Sequence, residues 1–409
     1  MAKLDYSTTI AIDTERSVFH FYSMMGNDKS KIVHNIRSYN GAPFSEEFFD
    51  KFKHALKKFV KNNPSESIRK VTVVLPDNAV LHDTIRIPTM KGMGQTKKAL
   101  DVTLGGLYKN YEDLRVVLNI AQQNKQNSTF VLAAVQKKII TSIYGACAEN
   151  KLLADNLTCA AGATICGAVL MNSKLKNQSY LFLDIKDVYS RFVFVIDGNA
   201  VGYYTLPFGL EFLRRSKVVQ EDMLFDHSYA ELTVLNAREK AKSKALTVMN
   251  LADSSAEADD EDEDDEDELL EENEIVSDED PTPADTVRAQ ANNKIFLRKA
   301  PRKLPKFMLR EIPESKEGIL YENFRVFVKW ALTLIGENDK LTELGKPEFV
   351  CVNMPNEMAG VLDKVNEESE ENGITFIHLS NAAEDEEILE NLELYGALYP
   401  NQITSMSKF

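Results

Sequence analysis

The order of apolar and polar positions predicts a chain in which strands and helices alternate. An apolar, β-branched run at 8–13 is followed by a polar turn and an alternating segment at 18–24, which predicts two strands joined by a tight turn. Residues 45–63 place apolar side chains on one helical face, with Ser45 as the N-cap. A buried strand at 70–76 ends at a proline. The pattern therefore indicates an α/β fold.

A second module follows within the first half of the chain. Residues 82–152 are predicted as strand, helix, strand, strand and helix, and the small residues at 158–170 predict a helix suited to close packing. Nearer the C-terminus, helices are predicted at 318–339, 357–372 and 385–399, and strands at 349–353 and 374–379.

The segment at 179–209 has the same organisation as the opening segment. Each begins with an apolar strand that ends in an aspartate, Asp13 or Asp184, and each continues through a polar turn into an alternating strand. Two copies of one unit predict two related lobes. Coincidence is the alternative, because strand–turn–strand units are common.

Negative charge is concentrated in one segment of the chain. Residues 251–283 hold 18 Asp/Glu and no Lys/Arg, so the rest of a chain whose net charge is −15 carries +3. A run of this kind cannot bury enough apolar surface to fold, and we expect a solvated, disordered acidic insertion over 251–286. An acidic mimic of nucleic acid is the alternative. The basic stretch at 294–310 adjoins this run, which favours neutralisation within the chain over nucleic-acid binding.

Other signals bound the class of protein. A chain of 409 residues with 44% hydrophobic residues is long enough for two or three domains. No window is apolar enough to span a bilayer, no signal peptide is recognisable, and the four cysteines are scattered, so we expect a cytoplasmic protein with reduced thiols. The histidines lack metal-ligand spacing, and no GxSxG, Walker A or GxGxxG motif is present.

Taken together, these segments resemble the actin-like ATPase superfamily, in particular the bacterial branch with the type IV pilus assembly protein PilM and the cell-division protein FtsA. The resemblance rests on the two hairpins ending in aspartate, and on three further segments. Residues 70–88 are similar to the family segment in which the chain leaves the first lobe. Residues 206–213 are similar to the strand-to-helix connection after the second phosphate-binding turn, and residues 321–330 to the long helix on the adenosine side of the nucleotide. The C-terminal SMSKF lacks a basic amphipathic membrane helix, which favours the PilM pattern.

The resemblance implies a two-lobed actin-like (ribonuclease H-like) fold with an extra subdomain. Its implied division is a first lobe at 1–81 and 136–175, an extra subdomain at 82–135, and a second lobe at 176–409 that contains the acidic insertion, with the helix at 385–399 returning to the first lobe.

The resemblance also implies a site for ATP and Mg²⁺ between the lobes. The implied binding residues are Asp13, Thr14, Ser17, Asp184, Lys186, Glu322, Arg325 and Asn353. Two alternatives remain open from the residues alone. The two aspartates are of the type that caps a turn after a strand, and Glu322 with Arg325 has the spacing of a helical ion pair.

Three turns depart from the family pattern. Glu15 stands where the family has a phosphate-binding glycine, the Lys186 turn has no glycine, and the turn after Asn353 has none before Gly360. Glycine lets a backbone turn approach phosphate closely, and Glu15 adds bulk and like charge. We therefore expect a degenerate nucleotide site and no catalytic turnover.

The implied function is a cytoplasmic scaffold or adaptor of a membrane-associated assembly machine of the type IV pilus kind. It would dock the cytoplasmic tail of a PilN-like membrane protein on the surface of 82–135, and so be recruited to the inner face of the membrane. The alternatives are an active actin-like ATPase and an FtsA-like filament that forms by self-association.

Overall fold

A computed structural model describes most of the chain. The described residues are 6–26, 32–63, 70–108, 111–206, 209–214, 315–336, 345, 347–369, 374–380 and 386–402. The predicted acidic insertion at 251–286 and the basic stretch at 294–310 lie outside them.

The first sheet has five strands in the order β3-β2-β1-β4-β8. Its strands are β1 (Tyr6–Asp13), β2 (Val18–Met25), β3 (Ile32–Ser38), β4 (Lys70–Leu75) and β8 (Leu153–Cys159). The predicted hairpin is confirmed, because β1 and β2 pair antiparallel, whereas β4 and β8 run parallel to β1. The pattern of apolar positions did not predict β3 or β8.

The second sheet repeats the first. Its strands are β9 (Tyr180–Ile185), β10 (Ser190–Ile196), β11 (Asn199–Leu206), β12 (Phe349–Asn353) and β13 (Thr375–His378), in the order β11-β10-β9-β12-β13. As in the first sheet, the central strand β9 pairs antiparallel with β10 on one side, whereas β12 and β13 on its other side run parallel to it. Identical order and direction in two sheets confirm the two related lobes.

A third, smaller sheet follows β4 in the chain. Its strands are β5 (Leu81–Pro88), β6 (Leu114–Gln123) and β7 (Asn127–Gln136), in the order β5-β7-β6. Helix α2 (Met93–Leu107) covers one face, where Leu100 and Leu104 pack against Ile85 and Leu132. The predicted strand–helix–strand–strand pattern is therefore correct.

Helices α1 (Glu46–Asn62), α3 (Lys137–Glu149) and α4 (Ala160–Met171) complete the first lobe. The Ser45 hydroxyl accepts a hydrogen bond from the Phe48 amide at 3.2 Å, which confirms the predicted N-cap. The apolar face of α1 packs against β2, where Phe19 contacts Phe48 and Phe52. The amphipathic pattern read from the sequence thus gives the helix its place on the sheet.

Helices α5 (Leu210–Leu213), α6 (Lys316–Gly336) and α7 (Gly360–Ser369) belong to the second lobe. Phe324 of α6 and Leu362 of α7 are buried in one apolar cluster with Leu183 and Val352 of the second sheet. Among the described residues, no helix is both long and apolar enough to cross a membrane.

The predicted C-terminal helix is two short helices, α8 (Glu386–Glu390) and α9 (Leu392–Ala397). Helix α9 packs on α4 of the first lobe. Its Gly396 lies so close to α4 that a Cβ there would come within 2.0 Å of the Ala163 carbonyl oxygen. On α4, a Cβ at Gly167 would come within 2.4 Å of the Leu392 carbonyl oxygen. Small residues on both helices therefore let the two backbones approach closely.

Candidate functional site

The two turns that follow β1 and β9 meet where the lobes face each other. Arg16 of the first turn forms an ion pair with Asp187 of the second, with 3.0 Å between Nη2 and Oδ2. Both side chains are partly exposed, so this pair lies at the rim of the contact. The turns implied to hold phosphate are thus brought together.

The first turn is folded around its own aspartate. Asp13 Oδ1 accepts hydrogen bonds from the backbone amides of Glu15 and Arg16, each at 2.9 Å. Ser17 has a φ of 56°, the left-handed conformation that ends the turn. Thr14 is half-buried in the same turn. Asp13 therefore caps the turn, and two of the amides that could face a phosphate are already donated to it.

Two histidines extend from Asp13 along the first sheet. Nε2 of His20 lies 3.7 Å from Asp13 Oδ2, and its Nδ1 shares a 2.9 Å hydrogen bond with Nε2 of His34. Burial raises the pKa of Asp13, but the hydrogen bonds from His20 and the Arg16 amide outweigh it and hold the pKa below its usual value. Burial, together with His20, lowers the pKa of His34 to about 4. This row of three side chains, Asp13, His20 and His34, was not predicted from the sequence, because β3, which carries His34, was not predicted.

Asp184, near the end of β9, is fully buried and contacts two neighbouring strands. Arg191 on β10 and Asn353 on β12 are its register partners. Arg191 Nη1 donates to Oδ2 at 3.1 Å, and Asn353 Nδ2 donates to Oδ1 at 2.8 Å. Lys186 Nζ lies 3.4 Å from Oδ1. Burial raises the pKa of Asp184, and these two cations oppose that rise.

Arg191 also reaches across to the first lobe. Its Nε donates to Asp77 Oδ2 at 2.6 Å, just after β4, and its Nη1 donates to Thr164 Oγ1 on α4 at 2.8 Å. The Arg191 side chain is 3% exposed, and Thr205 adds a 3.0 Å hydrogen bond to the same Asp77 oxygen. One buried guanidinium thus bonds to both lobes at once.

Lys186 makes a second connection, to the C-terminal helices. Its Nζ donates to the Glu390 carbonyl at 2.8 Å and lies 3.1 Å from Glu393 Oε2 on α9. Asn353 Nδ2 donates to the Leu389 carbonyl at 2.8 Å. Burial raises the pKa of Glu393, but Lys186 and then Arg191 outweigh it and lower that pKa to about 2. The Glu393 carboxylate therefore stays charged.

Gly209 and the first turn of α5 rest on the second turn. The amides of Leu210 and Glu211 donate to the carbonyls of Lys186 and Asp187, at 2.8 Å and 3.0 Å. A Cβ at Gly209 would lie 2.1 Å from the Lys186 carbonyl oxygen, so only glycine fits.

Glu322 and Arg325 pair with each other on α6. Arg325 Nη2 donates to Glu322 Oε2 at 2.7 Å, as the helical spacing of the pair predicts. Among the described residues, the hydrogen bonds and ion pairs found for Asp184 come from β10, β12 and Lys186. The structure therefore groups Asp184, Lys186 and Asn353, sets Asp13, Thr14 and Ser17 in the facing turn, and places Glu322 and Arg325 in a separate ion pair.

Three residues central to this network were missed by sequence reasoning: Arg191, Asp77 and Glu393. The available signal was Arg191 itself, a charged residue inside the apolar strand segment RFVFVI, which needs a partner if it is buried. Within the described ranges, no three His, Cys, Asp or Glu side chains are placed to hold a metal ion.

The sequence matches no protein-family model and no curated protein. Among solved structures, it is similar to a PilM–PilN type IV pilus biogenesis complex, with a TM-score of 0.52, 10% identity and 98% of each chain covered. It is also similar to the cytoplasmic domain of EpsL, an inner membrane component of the type II secretion system of Vibrio cholerae (TM-score 0.35, 8% identity, 50% of this chain and 71% of that one).

A third similar structure is a Bacteroides thetaiotaomicron protein with an actin-like ATPase fold and unknown function (TM-score 0.28, 12% identity, 51% and 72% covered). The fold rests on the first comparison and on the repeated five-stranded sheets. The chain has a two-lobed actin-like fold, which it shares over 98% of its length with the chain that it matches in the PilM–PilN complex.

Proposed function

We propose that this chain is a PilM-like scaffold of a membrane-associated assembly machine, and that it docks the cytoplasmic tail of a membrane partner. The observation that carries the proposal is the likeness to a PilM–PilN complex over 98% of both chains. In this proposal the chain is cytoplasmic and reaches the inner face of the membrane through a PilN-like partner.

The proposed docking region is the extra subdomain at 82–135, inserted in a first lobe at 1–81 and 136–175. Three large apolar side chains support an interaction surface there, since Met93, Val102 and Ile120 are exposed to 92%, 77% and 58%. A contiguous exposed apolar patch is typical of a protein–protein contact, and the proposal takes these three side chains as parts of such a patch.

The nucleotide site is, in our proposal, degenerate. The amides and cations that could bind phosphate already have partners in this chain. Backbone amides of the first turn donate to Asp13, and Lys186 and Arg191 are paired with buried carboxylates. Phosphate binding depends on free amides and cations at such turns. The side chains present therefore do not fit a triphosphate, and we derive no catalytic step.

Docking is tested with the full chain and a synthetic peptide. The peptide carries the cytoplasmic tail of the PilN-type membrane protein from the same genome, and calorimetry measures its affinity. We expect Val102→Asp and Ile120→Asp to weaken binding at least about tenfold, because each places a charge in an apolar contact. The matched control is Ile36→Asp on β3, whose side chain is 53% exposed outside the subdomain. Equal affinity in all variants would place docking elsewhere, and no binding would overturn the proposal.

Experiments with ATP distinguish the competing functions. Calorimetry with ATP and Mg²⁺ should show no binding at micromolar concentrations. Binding that Asp13→Ala and Asp184→Ala abolish would refute the degenerate site, and release of phosphate from the bound ATP would then identify an active actin-like ATPase. Sedimentation with ATP tests the FtsA-like filament, which would pellet in a nucleotide-dependent manner.

A further inference from the structure

We infer that this chain replaces a bridging ligand with its own side chains: Arg191 and Lys186 join the two lobes beside the buried core that the lobes share, and hold them closed in the free protein. We call Arg191, Lys186, Asp77, Asp184 and Glu393 the latch. This inference does not rest on partner docking, which could fail while the latch stands.

Arg191 supplies the first bridge. On its own lobe it bonds to Asp184, and on the first lobe it bonds to Asp77 and to the Thr164 hydroxyl. A guanidinium presents its donors in a fixed planar arrangement, so these bonds can form together only at one separation of the lobes. The geometry of one side chain thus specifies the closed state.

Lys186 supplies the second bridge. It leaves the second turn and ends between Asp184 of its own lobe and Glu393 of α9, a helix that packs on α4 of the first lobe. It also donates to the Glu390 carbonyl at the end of α8. Opening the lobes would break this contact together with those of Arg191.

The charged side chains of the latch are buried, so they depend on one another for stabilisation. The side chains of Arg191, Lys186 and Asp184 are 3%, 5% and 0% exposed, so each charge depends on its partners rather than on water. Removing one carboxylate leaves a buried cation that lacks its full compensation. The cation regains hydration when the lobes separate, and the equilibrium then shifts toward the open state.

The chain offers a matched control outside the latch. Asp187 also pairs across the lobes, with Arg16, but its side chain is 58% exposed, so water can compensate the cation. Asp77→Asn therefore weakens a buried bridge, whereas Asp187→Asn weakens an exposed one. Each variant removes one negative charge from an arginine that pairs across the lobes.

The experiment measures the separation of the lobes by electron paramagnetic resonance. Spin labels are attached to cysteines introduced at Lys58 on α1 and Asp363 on α7, which are both exposed. The four native cysteines are buried and leave the labelling selective. We expect wild type to give one narrow distance that ATP with Mg²⁺ does not change. Asp77→Asn should raise the open population at least about tenfold over Asp187→Asn, because a buried cation that loses its carboxylate regains hydration only when the lobes separate.

Two results would overturn the inference. One is an Asp77→Asn protein that melts earlier but keeps the wild-type distance, which would make Arg191 a stabilising residue only. The other is a wild-type protein that ATP closes further. If Asp77→Asn does not fold, Lys186→Met tests the second bridge with the same labels, and an unchanged distance there would also refute the latch.

Discussion

His82 is a buried histidine that makes the stability of the fold depend on pH. It is the second residue of β5, is 7% exposed, and packs its ring against Tyr203 with 5.0 Å between centroids. No hydrogen-bond partner for its Nδ1 is found among the described residues. Burial lowers the pKa of His82 from 6.5 to about 4.

The direction of the pH dependence of stability follows from whether the folded or the unfolded chain binds the His82 proton more tightly. The folded chain holds His82 neutral down to about pH 4, whereas the unfolded chain protonates it below pH 6.5. Stability is therefore complete above pH 6.5 and falls as the pH decreases toward 4. Linkage gives a loss of about 2 kcal/mol at pH 5 and about 3.4 kcal/mol once both states are protonated.

Urea unfolding of the full chain at pH 7 and pH 5 measures this loss. His82→Phe keeps an aromatic ring of similar size and cannot titrate, so the pH-dependent loss should be about 2 kcal/mol smaller than in wild type. Other groups whose pKa is low in the fold, such as His34, are present in both proteins and cancel in the difference. An equal loss in wild type and variant would refute the assignment of this pH dependence to His82.

Three further outcomes can be measured by thermal or chemical unfolding. Gly396→Leu should lower stability by about 3 kcal/mol or more, because its Cβ would meet the Ala163 carbonyl at 2.0 Å and force α9 from α4; a wild-type melting temperature would show that the helices can separate freely. Gly105→Ala on α2, where a Cβ meets nothing within 4 Å, should instead stabilise by about 0.5–1 kcal/mol, and a loss would contradict the open space seen there. Arg214→Ala removes an exposed ion pair with Glu357 and should change stability by less than about 1 kcal/mol, so a larger loss would mean that this pair is not merely a surface contact.

The fold was predictable where the apolar positions follow a clear pattern. The strand before Asp13 is a continuous apolar run that is buried on both faces, and the helix after Ser45 has the period of a half-buried helix; both are confirmed. Strand β3 was missed because it is an edge strand with most positions only half-buried, so it shows no clear apolar face. Strand β8 was missed because polar residues such as Asp155 interrupt its apolar positions.

The candidate site was predictable in part, for a physical reason. Asp184 and Asn353 end their strands, and parallel neighbours bring such positions together at one edge of a sheet. The partners of Arg191 and Lys186 were not predictable, because Asp77 and Glu390 lie 114 and 204 residues away in the chain. No local pattern encodes a pairing at that distance, and the family resemblance suggested a ligand there instead.

The packing of α9 on α4 has a consequence for how the protein is made. The residues of α4 leave the ribosome more than 200 positions before those of α9. Until α9 is synthesised, the buried small-residue surface of α4 lacks the helix that covers it, and the Glu393 carboxylate is not yet available to Lys186. A nascent first lobe would thus present an apolar surface to the cell throughout synthesis of the second, a situation that favours chaperone contact. The two lobes share a fold but must complete their folding together.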